Sequence, residues 1–172
     1  MDMHNQDKQK LVEQYDAFAE KFKAFYLTGK DRGKEAMAHA MEKTREDLTA
    51  FGEFSIERGE MMKAYLARDL EQTVSSARAY GETLGDEAKK KLQPSRLKAG
   101  ALASLAFVLE HTNEALHTLM DKTVEAITYK TGEITSAGSL TCQDCQYKMQ
   151  LKKTGHVPPC PKCSGTLFHK GY

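Results

Sequence analysis

The chain has 172 residues with 25 basic and 24 acidic side chains, a formal net charge of +1. That balance argues against the strongly basic surface that drives nonspecific nucleic-acid binding. No apolar run approaches the roughly 20 residues needed to cross a bilayer, and the polar start Met1-Asp2-Met3-His4-Asn5-Gln6-Asp7 carries no signal-peptide core, so the expectation is a cytoplasmic protein with no membrane contact. Composition changes once, near residue 130: all four cysteines and three of the four prolines follow that point, whereas the preceding residues are rich in Ala, Glu, Lys, Leu and Met. Two modules are expected, 1–130 and 131–172.

From residue 7 to 28, Leu11, Tyr15, Phe18, Phe22, Phe25 and Tyr26 recur at steps of three or four, the repeat of one helix face. Gly29 suits the end of that helix, and Asp31 can cap the next. A second helix is expected from Arg32 to Phe51, burying Ala36, Met37, Ala40, Met41, Leu48 and Phe51. Gly52 breaks the pattern, and Ser55 is a candidate N-cap for a third helix with Met62, Tyr65, Leu66, Leu70, Val74 and Tyr80 on its apolar side. Gly81 and Gly85 are expected to end it, and a short helical run from Asp86 meets Pro94.

Leu102, Leu105, Leu109, Thr112, Leu116, Leu119, Thr123 and Ala126 then alternate steps of three and four, a heptad seam. Such a seam must face other helices of the same chain or of a second copy. The intramolecular bundle is the simpler expectation, and a homodimer through the helix at 97–127 is the alternative. From Thr131 the helical period gives way to glycines and to short segments with strand character, Leu140-Thr141, Tyr147–Leu151 and Thr166–His169. The expected fold is therefore mainly α: an antiparallel helical bundle or coiled-coil hairpin followed by a small C-terminal β module.

The chemistry lies in that tail. Cys142-Gln143-Asp144-Cys145 and Cys160-Pro161-Lys162-Cys163 are two CxxC knuckles with fourteen residues between them, close to the spacing of Cys₄ zinc sites. A tight turn lets two sulfurs reach one ion at about 2.3 Å, and an intervening hairpin brings the second pair to the other side. Four thiolates close the coordination sphere of one Zn²⁺, so the metal is expected to be structural and not to activate water. Apparent zinc-binding energies of roughly 10–16 kcal/mol in small metallo-peptides are folding energy, which a tail of this size needs. His156 and His169 are read as surface residues and not as substitutes for a cysteine.

The segments Gly132-Glu133-Ile134, Gly138-Ser139-Leu140-Thr141-Cys142-Gln143-Asp144-Cys145, Cys160-Pro161-Lys162-Cys163 and Phe168 resemble the YbeL-like family of bacterial zinc-ribbon-containing proteins. The resemblance covers about residues 130 to 170 and is loose over the helices, where Met62 to Leu70 has similar character. It implies an N-terminal helical region, a C-terminal ribbon and the four cysteines as ligands, and it implies no particular activity. The chain departs from the family pattern at Ser164, where glycine commonly follows the last cysteine, and in the polar hairpin Lys152-Lys153-Thr154-Gly155-His156.

Three functions compete on this reading. The first is a noncatalytic adaptor or regulatory protein acting through protein–protein contacts, supported by the lack of GxSxG, P-loop, HExxH and Rossmann patterns. The second is nucleic-acid binding, with Lys148, Lys152, Lys153 and Lys170 on one face and Tyr147 and Phe168 stacking on bases. Against it, the tail from Thr131 holds five lysines and two acids, and a zinc tetrathiolate adds a further −2. The third is a rubrerythrin-like redox protein with an iron Cys₄ centre, which needs two inward Glu-x-x-His motifs. Only Glu114-Ala115-Leu116-His117 fits, so no enzyme is expected.

Overall fold

A computed structural model describes the backbone of residues 3–29, 34–91 and 127–171, and the side chains of 6–29, 35–73 and 127–171. The heptad seam, with the pairing helix it suggested, falls outside the described residues. Three helices come first, α1 (Met3–Thr28), α2 (Lys34–Ala50) and α3 (Ile56–Lys91), followed by six short strands: β1 (Thr128–Lys130), β2 (Ile134–Thr135), β3 (Gly138–Cys142), β4 (Lys148–Leu151), β5 (Gly155–His156) and β6 (Leu167–Gly171).

The three helices pack through the periodic residues. Tyr15, Phe18, Ala19, Phe22 and Tyr26 of α1 are buried against Met37, Ala40, Met41 and Leu48 of α2 and Met62, Leu66 and Leu70 of α3. Each large apolar side chain buried in this way contributes about 1.5–3 kcal/mol. The α2–α3 connection departs from expectation at Phe51, which is 72% exposed, while Phe54 turns inward and stacks on Phe18 with ring centroids 6.3 Å apart. The reason is local. Gly52 has φ +71°, its N–H bonds to the Thr49 carbonyl and that of Glu53 to the Leu48 carbonyl, a Schellman ending that throws Phe51 off the helix face. Gln14 fastens α1 to this connection, donating to the Glu53 carbonyl at 3.1 Å and accepting from Arg58 Nη1 at 3.2 Å.

Ser55 does cap α3, its Oγ accepting from the Arg58 N–H at 3.3 Å. The end of α3 differs from the sequence reading: the helix runs through Gly81 and Gly85 to Lys91. A glycine inside a helix costs only about 1 kcal/mol relative to alanine. It weakens a helix without stopping it.

The ribbon contains a four-stranded sheet in the order β1-β6-β3-β4 and a two-stranded sheet of β2 and β5, all pairs antiparallel. β1 lies just before position 131 and pairs Tyr129 with Phe168 of β6. Tyr129, Leu140, Val157 and Phe168 form a second apolar core together with Cys142 and Cys160. Ile134 of β2, by contrast, belongs to the helical core. The ribbon is thus seated in the bundle, with β2, β5 and β6 against α1 and α3.

Candidate metal centre

Cys142 and Cys145 flank the turn that leaves β3, and Cys160 and Cys163 flank the turn that precedes β6. The two knuckles repeat one hydrogen-bond pattern. The Gln146 N–H bonds to the Cys142 carbonyl at 3.0 Å and the Ser164 N–H to the Cys160 carbonyl at 2.8 Å. The Cys142 N–H bonds to the Tyr147 carbonyl and the Cys160 N–H to the Gly165 carbonyl, both at 2.9 Å. In each knuckle the residue after the second cysteine is left-handed, Gln146 at φ 58° and Ser164 at φ 61°. Ser164 therefore takes the backbone shape that glycine would supply, and the departure from the family pattern leaves the loop shape intact.

The four sulfurs lie within 4.8 Å of one another. Across the knuckles, Cys142 Sγ is 3.6 Å from Cys163 Sγ and Cys145 Sγ is 3.5 Å from Cys160 Sγ. A tetrahedron with Zn–S bonds of about 2.3 Å has an S···S edge of about 3.8 Å, so these residues fit one such ion. Gly165 completes the cradle: a Cβ there would meet Asp144 Oδ2 and would lie 3.0 Å from Cys142 Sγ and 3.1 Å from Cys163 Sγ.

The protonation of the thiols points the same way. Burial raises the Cys160 thiol, but the N–H groups of Cys163 and Lys162 and the sulfurs of Cys145 and Cys163 bring it down to about 7. The Gly165 N–H lowers Cys163, yet its bonds to the other sulfurs, together with burial, push it up to about 12. The two shifts run in opposite directions because a thiolate at Cys160 disfavours a second negative charge at Cys163, a conflict that a cation among the sulfurs relieves. His156 and His169 stand outside the sulfur cluster. His156 instead bridges the ribbon to α1, with Nδ1 2.7 Å from the Gly132 carbonyl oxygen and Nε2 3.1 Å from that of Lys8.

A profile of the family described as zinc-ribbon containing domain matches residues 26–171. This chain is a member of the zinc-ribbon containing domain family. The match takes in α2, α3 and the ribbon, so the family unit joins helices to the ribbon, while nearly all of α1 precedes it. No curated protein and no solved structure gave a significant match. In this zinc-ribbon domain the four cysteines form the metal site, and they are the one cluster of potential ligands of its kind among the described residues. No helix among those residues is long and apolar enough to cross a membrane.

Beneath the ribbon lies a buried polar cluster that the sequence reading missed. Asp69 of α3 accepts from the Tyr15 hydroxyl at 2.7 Å, the Ser136 N–H at 2.7 Å and the Thr135 hydroxyl at 2.9 Å. Lys170 Nζ donates to the Thr135 and Ser136 hydroxyls, both at 2.7 Å, and to Asp69 Oδ2 at 3.4 Å. Arg68 pairs with Glu133, donates to the Ile134 carbonyl at 2.9 Å and lies 4.0 Å over the Tyr129 ring. Burial would raise the Asp69 carboxyl, but Lys170, the Ser136 N–H, Tyr15 and Arg68 outweigh it and hold it below its ordinary value. Burial also pulls the Lys170 ammonium down to about 8, against the attraction of Asp69. Three oxygen acceptors around Nζ are the geometry of a charged ammonium.

The signal for this cluster was present. Asp69 is in register with Met62, Leu66 and Thr73 on the inward face of α3, and Lys170 is two residues from Phe168 on the inward side of β6. The same facts alter the nucleic-acid surface. Lys170 is 4% exposed and Phe168 fully buried, which leaves Lys148, Lys152, Lys153 and Tyr147 at the surface.

Proposed function

We propose that this zinc-ribbon protein is a noncatalytic, cytoplasmic adaptor or regulator of the YbeL-like group that acts through protein–protein contacts, with one structural Zn²⁺ held by Cys142, Cys145, Cys160 and Cys163. The observation that carries the reading is the sulfur cluster: four cysteines within 4.8 Å supply a complete tetrahedral donor set and leave no position at which water or substrate would be activated. When bound, the ion supplies positive charge that holds the four thiolates together. The chain's own residues do the rest. The Asp69 cluster fixes the ribbon on α1 and α3, so the ribbon presents a surface of set orientation, which reduces the entropy lost when a partner docks. Pairing of two copies through the segment 97–127 belongs to the same proposal.

The nucleic-acid alternative is weakened by the burial of Lys170 and Phe168, which removes two of the six residues it invoked. The rubrerythrin-like alternative lacks a second Glu-x-x-His motif. The test has two parts. Elemental analysis of protein purified without chelators should find one zinc and no iron per chain. A pull-down should then recover proteins with the wild type that a Cys160→Ser, Cys163→Ser variant loses. Identical partner lists would sink the claim that the folded ribbon recruits partners.

A further inference from the structure

We infer that the β4 edge of the ribbon is a docking strand for an extended acidic segment of a partner protein, which adds to the sheet beside Tyr147–Leu151. This rests on the adaptor reading and names the chemistry of its partner. β4 ends the strand order β1-β6-β3-β4, so among the described residues it pairs on one side only, with β3. The other side carries backbone donors and acceptors that an added strand satisfies. β4 is already held in shape from behind. Met149 and Leu151 pack on the ribbon core, and the register Leu140↔Met149 and Gly138↔Leu151 fixes them, while Lys148 and Gln150 face out. Little ordering is left for a partner to impose.

Charge selects the partner. From Cys145 to Tyr172 there are five lysines and no acid. Lys170 is taken up by the buried cluster, whereas Lys148, Lys152 and Lys153 are exposed on or just after β4 and make no ion pair among the described residues. Pairing of two β4 edges would set these lysines against one another, so the same charges that bar a second copy favour an acidic strand. Tyr147, 42% exposed at the start of the strand, offers an aromatic anchor. A polynucleotide would meet the lysines but could not complete the strand's backbone ladder.

Peptide display on the zinc-loaded full chain tests this directly, with Lys148→Glu, Lys152→Glu, Lys153→Glu as the comparison and zinc stoichiometry as the control for folding. The wild type should enrich segments that alternate acidic and apolar residues, and the triple variant should bind the best of them about tenfold more weakly. Amide shifts on titration should be largest at residues 147–151, and N-methylation of alternate amides in the peptide should abolish binding. Loss of the acidic enrichment, binding indifferent to N-methylation, or no enriched peptide at all would overturn the β4 site. Selected peptides that map to the helices would overturn the site and leave the adaptor reading standing. Binding of a single-stranded DNA oligonucleotide without any selected peptide would overturn both.

Discussion

At the scale of single residues, the metal centre is shaped by backbone angles as much as by sulfur. Ser164 sits at φ 61° with its side chain exposed, a conformation that costs a non-glycine residue about 1–2 kcal/mol. Ser164→Gly should therefore stabilise the ribbon by about 1 kcal/mol and raise zinc affinity about fivefold in a chelator competition. Unchanged or weaker affinity would show that the left-handed angle is not strained. Gly165→Ala should do the opposite, because its Cβ would press on Cys142 Sγ and Cys163 Sγ. Asp69 is the other decisive residue. Tyr15→Phe removes one hydrogen bond to a buried carboxylate and should cost about 1.5–3 kcal/mol in urea unfolding. Lys170→Met leaves the buried Asp69 carboxylate with only the longer 3.9 Å ion pair to Arg68 and should cost about 3–5 kcal/mol. Equal, near-zero effects of both would mean that the cluster contributes nothing to seating the ribbon.

Among the elements, the α2–α3 pair shows how a helix ending and a charge network act together. Gly52→Ala forces a side chain into the left-handed C-terminal position of α2 and should destabilise by about 1 kcal/mol. Across the same pair, hydrogen bonds from Arg45 and Lys63 lower the Glu42 carboxyl from 4.5 to about 2. Because the folded value is the lower one, the folded state binds fewer protons between these limits. The contribution of Glu42 is complete above about 4.5 and is lost as pH falls toward about 2. Its size is small, since Glu42 is 38% exposed and screened by solvent and salt. Urea midpoints measured across that window should fall more steeply for wild type than for Glu42→Gln; parallel curves would remove Glu42 as a contributor. The buried Asp69, also lowered, adds a loss of the same sign below its ordinary value of 3.8.

For the whole molecule, the ribbon and the helices are expected to respond to metal together. β6 runs from the second knuckle to Lys170, so the strand that leaves the metal site also carries the cation that faces Asp69. Stripping the metal should unfold the ribbon and leave Asp69 and Tyr15 of the bundle without Lys170, Thr135 and Ser136. The helical far-ultraviolet signal should then melt at lower temperature in excess chelator, and restored zinc should reverse the change. A helical transition indifferent to chelator would show that the two parts fold independently. The span of the family match, residues 26–171, agrees with a unit in which helices and ribbon occur together.

Much of this was legible in the residues themselves. Aromatic and methionine steps of three and four located α1, α2 and the start of α3, because burial of one helix face is a local, periodic property. The two CxxC pairs located the metal site, because a tetrahedral ion restricts ligand spacing severely. Three features were decided only in three dimensions. Phe51, expected inside, lies outside and Phe54 fills the core, because a Schellman turn redirected the chain. α3 ran through Gly81 and Gly85 because a modest propensity penalty did not stop it. Lys170, read as a surface charge, went inside because Asp69 arrives from a helix a hundred residues away in sequence to meet it. Periodicity and ligand spacing are local and survive in one dimension. The pairing of buried charges is not, since each becomes tolerable only when the fold brings its partner within hydrogen-bond reach.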